Sequence, residues 1–314
     1  MRTALLLMIV CLWVNPTAAG DTVSIQVEPQ IVVLGIAQDG GYPQAGCRKD
    51  CCKPVWDDPA RRRHVSCIAI VDPKTKQRWI IDATPDFREQ LRMLDATAPT
   101  EAKPELDGIL LTHGHIGHYA GLVHLGREVM GTKAVPVYAM PRMRDFLEHN
   151  GPWDQLIRLD NIELRPIENG VAIALNDRIT VTPFLVPHRD EYTETVGYRI
   201  DGPTRSVIYI SDIDKWDRWD TSIIEMISGV SAAYLDATFY MEGEIPGRSM
   251  ADIPHPFIEE SMDFFQALSD AEKAKVRFIH FNHTNPVLDP GSDARRRVEE
   301  AGYHIAEELE VFHI

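Results

Sequence analysis

Apolar and polar positions along the chain follow the period of two typical of β-strands in some segments and the longer period of helices in others. Short apolar runs bounded by turn residues predict strands at residues 31–37, 65–71, 78–83, 109–112, 135–139, 162–166, 171–175, 179–186, 195–200, 206–210, 231–235, 276–281 and 309–313. Apolar residues three and four positions apart predict helices at residues 85–94, 120–130, 142–149, 222–227, 258–268 and 293–301. Two groups of strands with interleaved helices and no linker favour a single layered α/β domain.

The length and the charge of the chain narrow its possible functions. The 314 residues suffice for one large domain with a substantial core. The formal net charge of −15 makes nucleic acid and an anionic membrane surface unsuitable partners, so we expect a small-molecule substrate. A basic cluster at residues 61–64 is either a solvated face or a local contact for a small phosphorylated substrate.

The first 19 residues have the pattern of a secretory signal peptide. Arg2 supplies the positive start, residues 4–14 the apolar stretch, and residues 17–19 the small side chains of a cleavage site. The apolar stretch is too short to span a bilayer comfortably, with an uncleaved anchor as the alternative. We therefore expect a secreted or periplasmic protein without membrane contact after cleavage, whose folded domain occupies residues 30–314.

Three histidines within six residues carry the strongest functional signal. His113, His115 and His118 follow the apolar stretch 108–111, so a buried strand ends in a histidine-rich loop. Imidazole binds zinc, iron and copper, and a strand end holds such ligands rigidly. The first two histidines are spaced to converge on one ion, and the third can point at a second. The alternative is that three surface or core histidines lie together by chance.

The run from Thr112 to Leu122 resembles the signature of the metallo-β-lactamase superfamily, His-x-His-x-Asp-His followed by Gly-Leu. The resemblance implies an α/β fold of four layers (αββα), formed as a single domain with the metal site at one edge. One position departs from the family, because Gly117 stands where the motif has an aspartate that binds the second metal. Asp39, in the loop after the first predicted strand, is the candidate for a compensating carboxylate close to the site.

Three later strand ends supply the remaining ligands that the resemblance implies, each directly after an apolar run. The family arrangement divides the ligands between two ions: His113, His115 and His188 for the first, His118 and His280 for the second, and Asp212 as the bridge. We expect zinc, as one or two ions, with iron or manganese as alternatives. Because two bridged ions lower the pKa of a shared water, Asp212 also counts as a catalytic residue.

A cluster of cysteines predicts a separate structural metal site. Cys47, Cys51 and Cys52 lie within six residues, and three thiolates with one imidazole form a closed tetrahedral zinc site. His283 is the candidate fourth ligand. Residues three apart on a strand point to opposite sides, so it cannot easily share an ion with the strand-end histidine before it. The alternative in an exported protein is a disulfide, for example of Cys47 or Cys51 with Cys67.

These segments together resemble one branch of the superfamily, which holds pyrroloquinoline quinone biosynthesis protein B and the carbon–phosphorus lyase pathway phosphodiesterase. The segments that carry the resemblance are residues 34–43, the cysteine cluster, and residues 61–66, 80–83 and 280–286. The cysteine spacing differs from that of the phosphodiesterase. His255 precedes a predicted helix, at a position that resembles the proton-donating histidine of ribonuclease Z-like hydrolases; a structural residue at the helix entry is the alternative.

The function that this resemblance implies is that of an exported metal-dependent hydrolase. We predict that a metal-activated hydroxide attacks a small phosphoester or phosphodiester. One alternative is a cofactor-pathway protein of the quinone-biosynthesis B type, and another is a metal-binding protein that lost catalysis when Gly117 replaced the motif aspartate. The sequence leaves a homo-oligomer open.

Overall fold

The computed structural model describes residues 27–101, 105–247, 249–250 and 253–314. The predicted signal peptide at residues 1–19 lies outside this part of the chain. None of the helices in the described ranges is long and apolar enough to cross a membrane. Regular strands begin at Gln30 and end at His313.

The first sheet contains seven strands of the described chain. In spatial order they are β14 (Val311–His313), β1 (Gln30–Gly35), β2 (Cys67–Asp72), β3 (Gln77–Ile81), β4 (Gly108–Leu110), β5 (Val135–Ala139) and β6 (Ile162–Pro166). Pairing is antiparallel from β14 to β3 and parallel from β3 to β6. Ile31 is in register with Ile70, and Ile80 with Ile109, so apolar side chains adjoin across neighbouring strands.

The second sheet also contains seven described strands. In spatial order they are β13 (His304–Ile305), β12 (Val276–Ile279), β11 (Ala232–Asp236), β10 (Ser206–Ile210), β9 (Val196–Asp201), β8 (Thr180–Leu185) and β7 (Ile173–Ala174). Strands β10 to β13 are parallel, whereas β7, β8, β9 and β10 alternate in direction. Strand β8 therefore runs the same way as β10.

Helices cover the outer faces of both sheets. In the described ranges they are α1 (Lys53–Asp57), α2 (Phe87–Thr97), α3 (Ile116–Tyr119), α4 (Pro141–His149), α5 (Trp153–Arg158), α6 (Ile223–Ser228), α7 (Ile258–Phe264), α8 (Asp270–Lys273) and α9 (Asp293–Glu300). Alternate residues of β1 are buried on opposite faces: Ile31 and Val33 in the core that includes both sheets, Val32 and Leu34 in a core shared with α2 and α4. The predicted αββα sandwich is confirmed.

A few elements differ from the sequence prediction. The predicted helix 120–130 is only a 3-10 helix over Ala120–Leu125, because the backbone is extended at Gly126 and left-handed at Gly131. Helix α7 ends at Phe264 rather than at residue 268. Helix α5 was not predicted; a helix of six residues is too short to be stable alone and depends on the packing of Trp153 and Leu156.

Two of the basic residues 61–64 have hydrogen-bond partners within the protein. Arg63 donates hydrogen bonds to the backbone carbonyls of Ala60 and Arg62. Nδ1 of His64 lies 3.2 Å from Oε1 of Glu308. The hydrogen bond that His64 donates to Glu308 raises the pKa of His64, and burial opposes this effect without cancelling it.

Replacing Glu308 by glutamine is expected to destabilise the protein more at about pH 5.5 than at about pH 9. Because the folded pKa of His64 is raised, the charged pair stabilises the fold fully below the unfolded pKa of about 6.5, and this contribution is lost as the pH rises through the folded value. The pH-dependent part should be about 1.5 kcal/mol, as for other charge-assisted hydrogen bonds. Urea unfolding of both proteins at both pH values measures it. Equal differences at the two pH values would contradict a charged His64–Glu308 pair.

Candidate metal centre

The predicted site residues lie at one edge of the sandwich because the strands that precede them run the same way within each sheet. In the first sheet this holds for β1, β3 and β4, and in the second for β8, β10, β11 and β12. The carboxyl ends of such strands open at a common edge. The residues that follow or end them are Asp39 after β1, Asp82 after β3, His113 after β4, His188 after β8, Asp212 after β10, Asp236 at the end of β11 and His280 after β12.

The first ligand set consists of His113, His115, His188 and Asp212. One potential ligand atom of each lies within 4.8 Å of those of the others. Nε2 of His113 is 2.9 Å from Nδ1 of His115, and Nε2 of His188 is 3.7 Å from Oδ1 of Asp212. His115 is only half-buried. Its Nε2 lies 3.1 Å from Oε2 of Glu191, and this contact orients the ring.

The second ligand set consists of Asp39, His118 and His280, together with Asp212. Nε2 of His118 is 3.2 Å from Oδ1 of Asp39 and 3.2 Å from Oδ2 of Asp212. Nε2 of His280 is 3.4 Å from the same Asp212 oxygen. The two oxygens of Asp212 thus face the two ligand sets, the arrangement needed for a carboxylate shared by two ions.

Unpartnered polar atoms indicate that these residues fit metal ions. Among the residues of the two ligand sets, the buried atoms that lack a hydrogen-bond partner in the described chain are Oδ1 of Asp39, Nε2 of His118, both ring nitrogens of His188, Oδ2 of Asp212 and Nε2 of His280. Each such atom costs about 1–3 kcal/mol if nothing binds it. Imidazole nitrogens with carboxylate oxygens suit zinc, and also iron or manganese. The donor chemistry therefore fits the metal that the sequence predicted.

Asp39 occupies the space of the aspartate that the motif lacks. A Cβ atom built on Gly117 would lie 2.1 Å from Oδ1 of Asp39 and 2.7 Å from its Cα. No side chain at position 117 can coexist with Asp39 in this conformation. A carboxylate is thus present beside His118 and His280, but it comes from the loop after β1 and not from the histidine motif.

The histidines of the site differ in their ionisation. Burial lowers the pKa of His118 and of His280, but the charge of Asp212 outweighs burial and raises both values, so these two rings must lose a proton to bind metal. Burial lowers the pKa of His113, and the positive charge of His118 lowers it further. Burial also lowers the pKa of His188 to about 4, although the charge of Asp212 opposes this. These two imidazoles are neutral at physiological pH, which is the form that binds metal.

The carboxylates of the site remain ionised in spite of their burial. Burial raises the pKa of Asp39, but the adjacent imidazole of His118 and the charges of His118 and His280 outweigh burial and lower the pKa below the usual range. Burial acts in the same way on Asp212, and the charges of His280 and His118 again lower its pKa. Both groups are therefore anions that can neutralise bound cations.

Two buried aspartates that sequence reasoning gave no role orient the histidine ligands. Oδ2 of Asp82 lies 2.7 Å from Nδ1 of His118. Asp236 lies 3.7 Å, through Oδ1, from Nδ1 of His280, and the Thr238 hydroxyl is 2.9 Å from the same nitrogen. Both aspartates are fully buried. Carboxylates in this position fix the ring orientation of metal-binding histidines. Their signal in the sequence was an acidic residue at the end of an apolar strand.

His255 lies beside the second ligand set. Its Nδ1 is 2.7 Å from Oδ2 of Asp236, and one of its ring nitrogens is within 4.8 Å of ligand atoms of Asp212 and His280. The side chain is buried, and its ring centroid is 5.1 Å from that of His188. Asp236 therefore contacts two site histidines at once.

The cysteine cluster, which consists of Cys47, Cys51, Cys52 and His283, is a separate group of potential ligands. Nδ1 of His283 is 3.3 Å from Sγ of Cys52 and 3.6 Å from Sγ of Cys51, and the sulfurs of Cys47 and Cys51 are 3.7 Å apart. All four ligand atoms lie within 4.8 Å of one another. The alternative of a disulfide with Cys67 is not formed, because Cys67 is a free thiol in the core beneath α2.

A cavity of about 530 Å³ adjoins His188. Its lining includes four carboxylates, namely Asp190, Glu194, Asp214 and Asp220. Two of them form ion pairs, Asp190 with Arg142 and Asp214 with Arg218. The volume suits a small molecule, and the wall remains negatively charged.

Comparisons with known proteins agree with this geometry. The family model described as the beta-lactamase superfamily domain matches residues 77–281. Coenzyme PQQ synthesis protein B of Xanthomonas campestris pv. campestris is 28% identical over 301 residues, which cover 88% of this chain and 97% of that protein. The crystal structure of Zn²⁺-bound PqqB from Methylobacterium extorquens is similar with a TM-score of 0.75 and 25% identity, covering 91% of this chain and all of the other.

A further solved structure has a similar fold. It is a diphosphatase from the PhnP family, with a TM-score of 0.65 and 24% identity, covering 91% of this chain and 97% of that one. An αββα sandwich with clustered imidazoles and carboxylates at its strand ends defines a metal-binding protein of the metallo-β-lactamase fold. The family model matches more than half of the chain, so the chain belongs to the beta-lactamase superfamily. The resemblance predicted from the histidine motif is confirmed.

Proposed function

We propose that this protein is a metal-dependent hydrolase that cleaves a small phosphodiester. One observation carries the proposal: the buried, unpartnered atoms of Asp39, His118, Asp212 and His280 face one another beside the first ligand set. Two ions held by these residues would share the Asp212 carboxylate, a composition typical of two-metal hydrolases. The fold likeness to a PhnP-family diphosphatase supports the same class.

The residues of the chain have separable tasks in this proposal. Bound ions supply a nucleophile at neutral pH and polarise a phosphoryl oxygen. Asp212 keeps the two ligand sets at a fixed distance, and Asp82 and Asp236 keep His118 and His280 oriented.

His255 is proposed as the proton donor to the leaving oxygen. Its Nδ1 is engaged by Asp236, so Nε2 is the nitrogen that can hold and transfer a proton. Asp236 fixes the tautomer and stabilises the positive charge on the ring. This is the division of tasks that a general acid beside a metal centre requires.

The charge of the cavity beside His188 narrows the substrate class. Glu194 accepts two hydrogen bonds from the backbone nitrogen of Arg142, and no ion pair of Glu194 or Asp220 occurs in the described chain. The carboxylates that line this cavity repel a doubly charged substrate more strongly than a singly charged one. We therefore propose a singly charged phosphodiester rather than a monoester or a polyphosphate.

A second candidate function is supported by the sequence relatives. Coenzyme PQQ synthesis protein B matches almost over its full length, at 28% identity. If this protein acts in cofactor synthesis, the same ligand sets would bind a small precursor of the cofactor, with iron as a candidate metal. Oxygen consumption by the iron-loaded protein, in the absence of phosphodiesterase activity, would favour this function over the first.

We further propose that zinc occupies the cysteine cluster as a structural ion. Three thiols and one imidazole offer the donors of a closed tetrahedral site, with no position left for a substrate. Burial raises the pKa of Cys52 to about 12, so without metal the Cys52 thiol is neutral and a metal ion must deprotonate it.

Replacing His115 by alanine is expected to lower kcat/KM for bis(4-nitrophenyl) phosphate on the order of 10³-fold or more, because the first ion loses a direct ligand. Colorimetric assay of the zinc- and manganese-loaded proteins measures this. His149→Ala is the matched control, since this histidine is exposed on α4, pairs with Asp145 and lies outside both ligand sets. The proposal fails if the metal-loaded wild type does not turn over any of a panel of activated phosphodiesters.

A further inference from the structure

The cysteine cluster is connected to the loop that carries Asp39. The Tyr42 hydroxyl donates a hydrogen bond of 2.9 Å to the backbone carbonyl of Cys51. The backbone nitrogen of Gln44 lies 3.4 Å from Sγ of Cys52. Between these contacts and Asp39 the chain makes one tight turn, closed by the bond from the Gly41 nitrogen to the Gln38 carbonyl. A shift of the cluster is therefore transmitted to Asp39 over few bonds.

The same cluster is connected to the segment that carries His280. His283, which contacts the sulfurs of Cys51 and Cys52, lies only three residues further along the chain. The backbone at His280 is left-handed, with φ of 68°, so this segment leaves β12 in a strained conformation that its surroundings must maintain.

The two segments are also bonded to each other. Gln38 donates a backbone hydrogen bond of 2.8 Å to Phe281, and Phe281 donates one of 2.8 Å to Ile36. Asp39 and His280 each adjoin this backbone pair. The cluster, the loop and the β12 segment form a closed ring that holds the two ligands at a fixed distance. Tyr42 is held additionally by backbone bonds to Arg63.

The first ligand set is connected elsewhere. The nitrogen of Gly114, between His113 and His115, bonds to the Thr193 hydroxyl, and Thr112 bonds to Asp82. In the part of the chain that the structure describes, these contacts lead away from the cysteine cluster. The two ligand sets therefore differ in their dependence on it.

We propose that an ion bound by the cysteine cluster positions Asp39 and His280, and thereby sets the affinity of the second ligand set for its own ion. The inference rests on the proposed function for the presence of the ions. Cys51, Cys52 and His283 act as positioning residues for the active site, and Tyr42 is the link to Asp39. The first ligand set keeps its affinity when the cluster is empty.

Two variants test this proposal through metal content. Wild type, purified with zinc, is expected to hold about three equivalents by elemental analysis. Cys52→Ser is expected to lose two of them, the cluster ion and the second active-site ion. Cys67→Ser is the matched control, because it also removes a buried thiol but lies outside the cluster, and it should keep all three.

Tyr42→Phe tests the link without changing any ligand. Loss of one hydrogen bond of about 1 kcal/mol is expected to weaken the second active-site ion about fivefold, measured by zinc titration against a chromophoric chelator. The cluster ion and the first ion should be unaffected. This variant decides the question if Cys52→Ser does not fold, as judged by circular dichroism.

The outcomes separate this inference from the proposed function. If wild type holds three ions but Cys52→Ser loses only one, or Tyr42→Phe binds the second ion as tightly as wild type, the coupling is overturned while the hydrolase proposal stands. If wild type holds an ion at the cysteines alone, the proposed active site itself fails, and the coupling fails with it.

Discussion

Transfer of the carboxylate from position 39 to position 117 is expected to preserve the second active-site ion, whereas either single substitution weakens it. Asp39→Gly removes a carboxylate that lies beside His118 and His280 and that we propose as a ligand of the second ion. We expect the affinity for the second ion to fall by more than about 100-fold, beyond the 10–100-fold typical of residues that only orient a ligand. The double variant Asp39→Gly/Gly117→Asp supplies a carboxylate in the same space.

Gly117→Asp alone should be the most damaging of the three variants. Its Cβ would lie 2.1 Å from Oδ1 of Asp39, and two carboxylates would compete for one buried volume. Overpacking of this kind costs about 1–3 kcal/mol before the repulsion of the two charges is added. The effects of the two substitutions on stability and metal content are therefore expected to be strongly non-additive. The double variant should be more stable and bind more metal than the Gly117→Asp single variant.

Elemental analysis and urea unfolding of the three variants measure this effect. Asp177→Gly provides a control for the loss of an acidic residue, because Asp177 is exposed in the turn between β7 and β8 and lies outside both ligand sets and the cysteine cluster. If Asp39→Gly keeps its full metal content, Asp39 is not a ligand, and its position in the space above Gly117 has no functional meaning.

Replacing Asp236 by alanine is expected to lower kcat/KM for the phosphodiester on the order of 10³-fold and to weaken the second ion about 10–100-fold. The two losses have one origin, because this fully buried carboxylate contacts both His255 and His280. Without it, Nδ1 of His255 loses its acceptor. The Thr238 hydroxyl, which donates to Asp236 and lies 2.9 Å from Nδ1 of His280, also loses the acceptor that orients it.

The contributions can be separated by comparison with His255→Ala. That variant should lower activity while leaving the metal content close to that of wild type, because the ring of His255 is assigned to proton transfer. Asp201→Ala serves as the control, since this half-buried aspartate ends β9, at the opposite edge of the second sheet, and pairs with Arg199. Equal activity of Asp236→Ala and wild type at saturating zinc would exclude any role of Asp236 in proton transfer.

The sequence predicted the elements that have a regular pattern. Strands β5, β6 and β10 have the predicted bounds, and the apolar run at residues 31–37 predicted β1, which the structure buries on both faces. Short helices such as α5 and the 3-10 helix at Ala120–Leu125 were missed or misjudged. Their stability comes from the surfaces on which they pack, which the local sequence does not contain.

The sequence by itself determined the superfamily, the αββα architecture and most of the potential ligands, because histidines and aspartates at the ends of apolar strands are a local signal. Only the tertiary structure decided how the chain supplies a carboxylate beside the histidine motif. Asp39 and Gly117 are far apart along the chain, and the overlap of their side-chain volumes exists only once β1 and β4 lie in one sheet. The same holds for Asp236, whose contacts with His255 and His280 arise from three separate segments that meet at one edge.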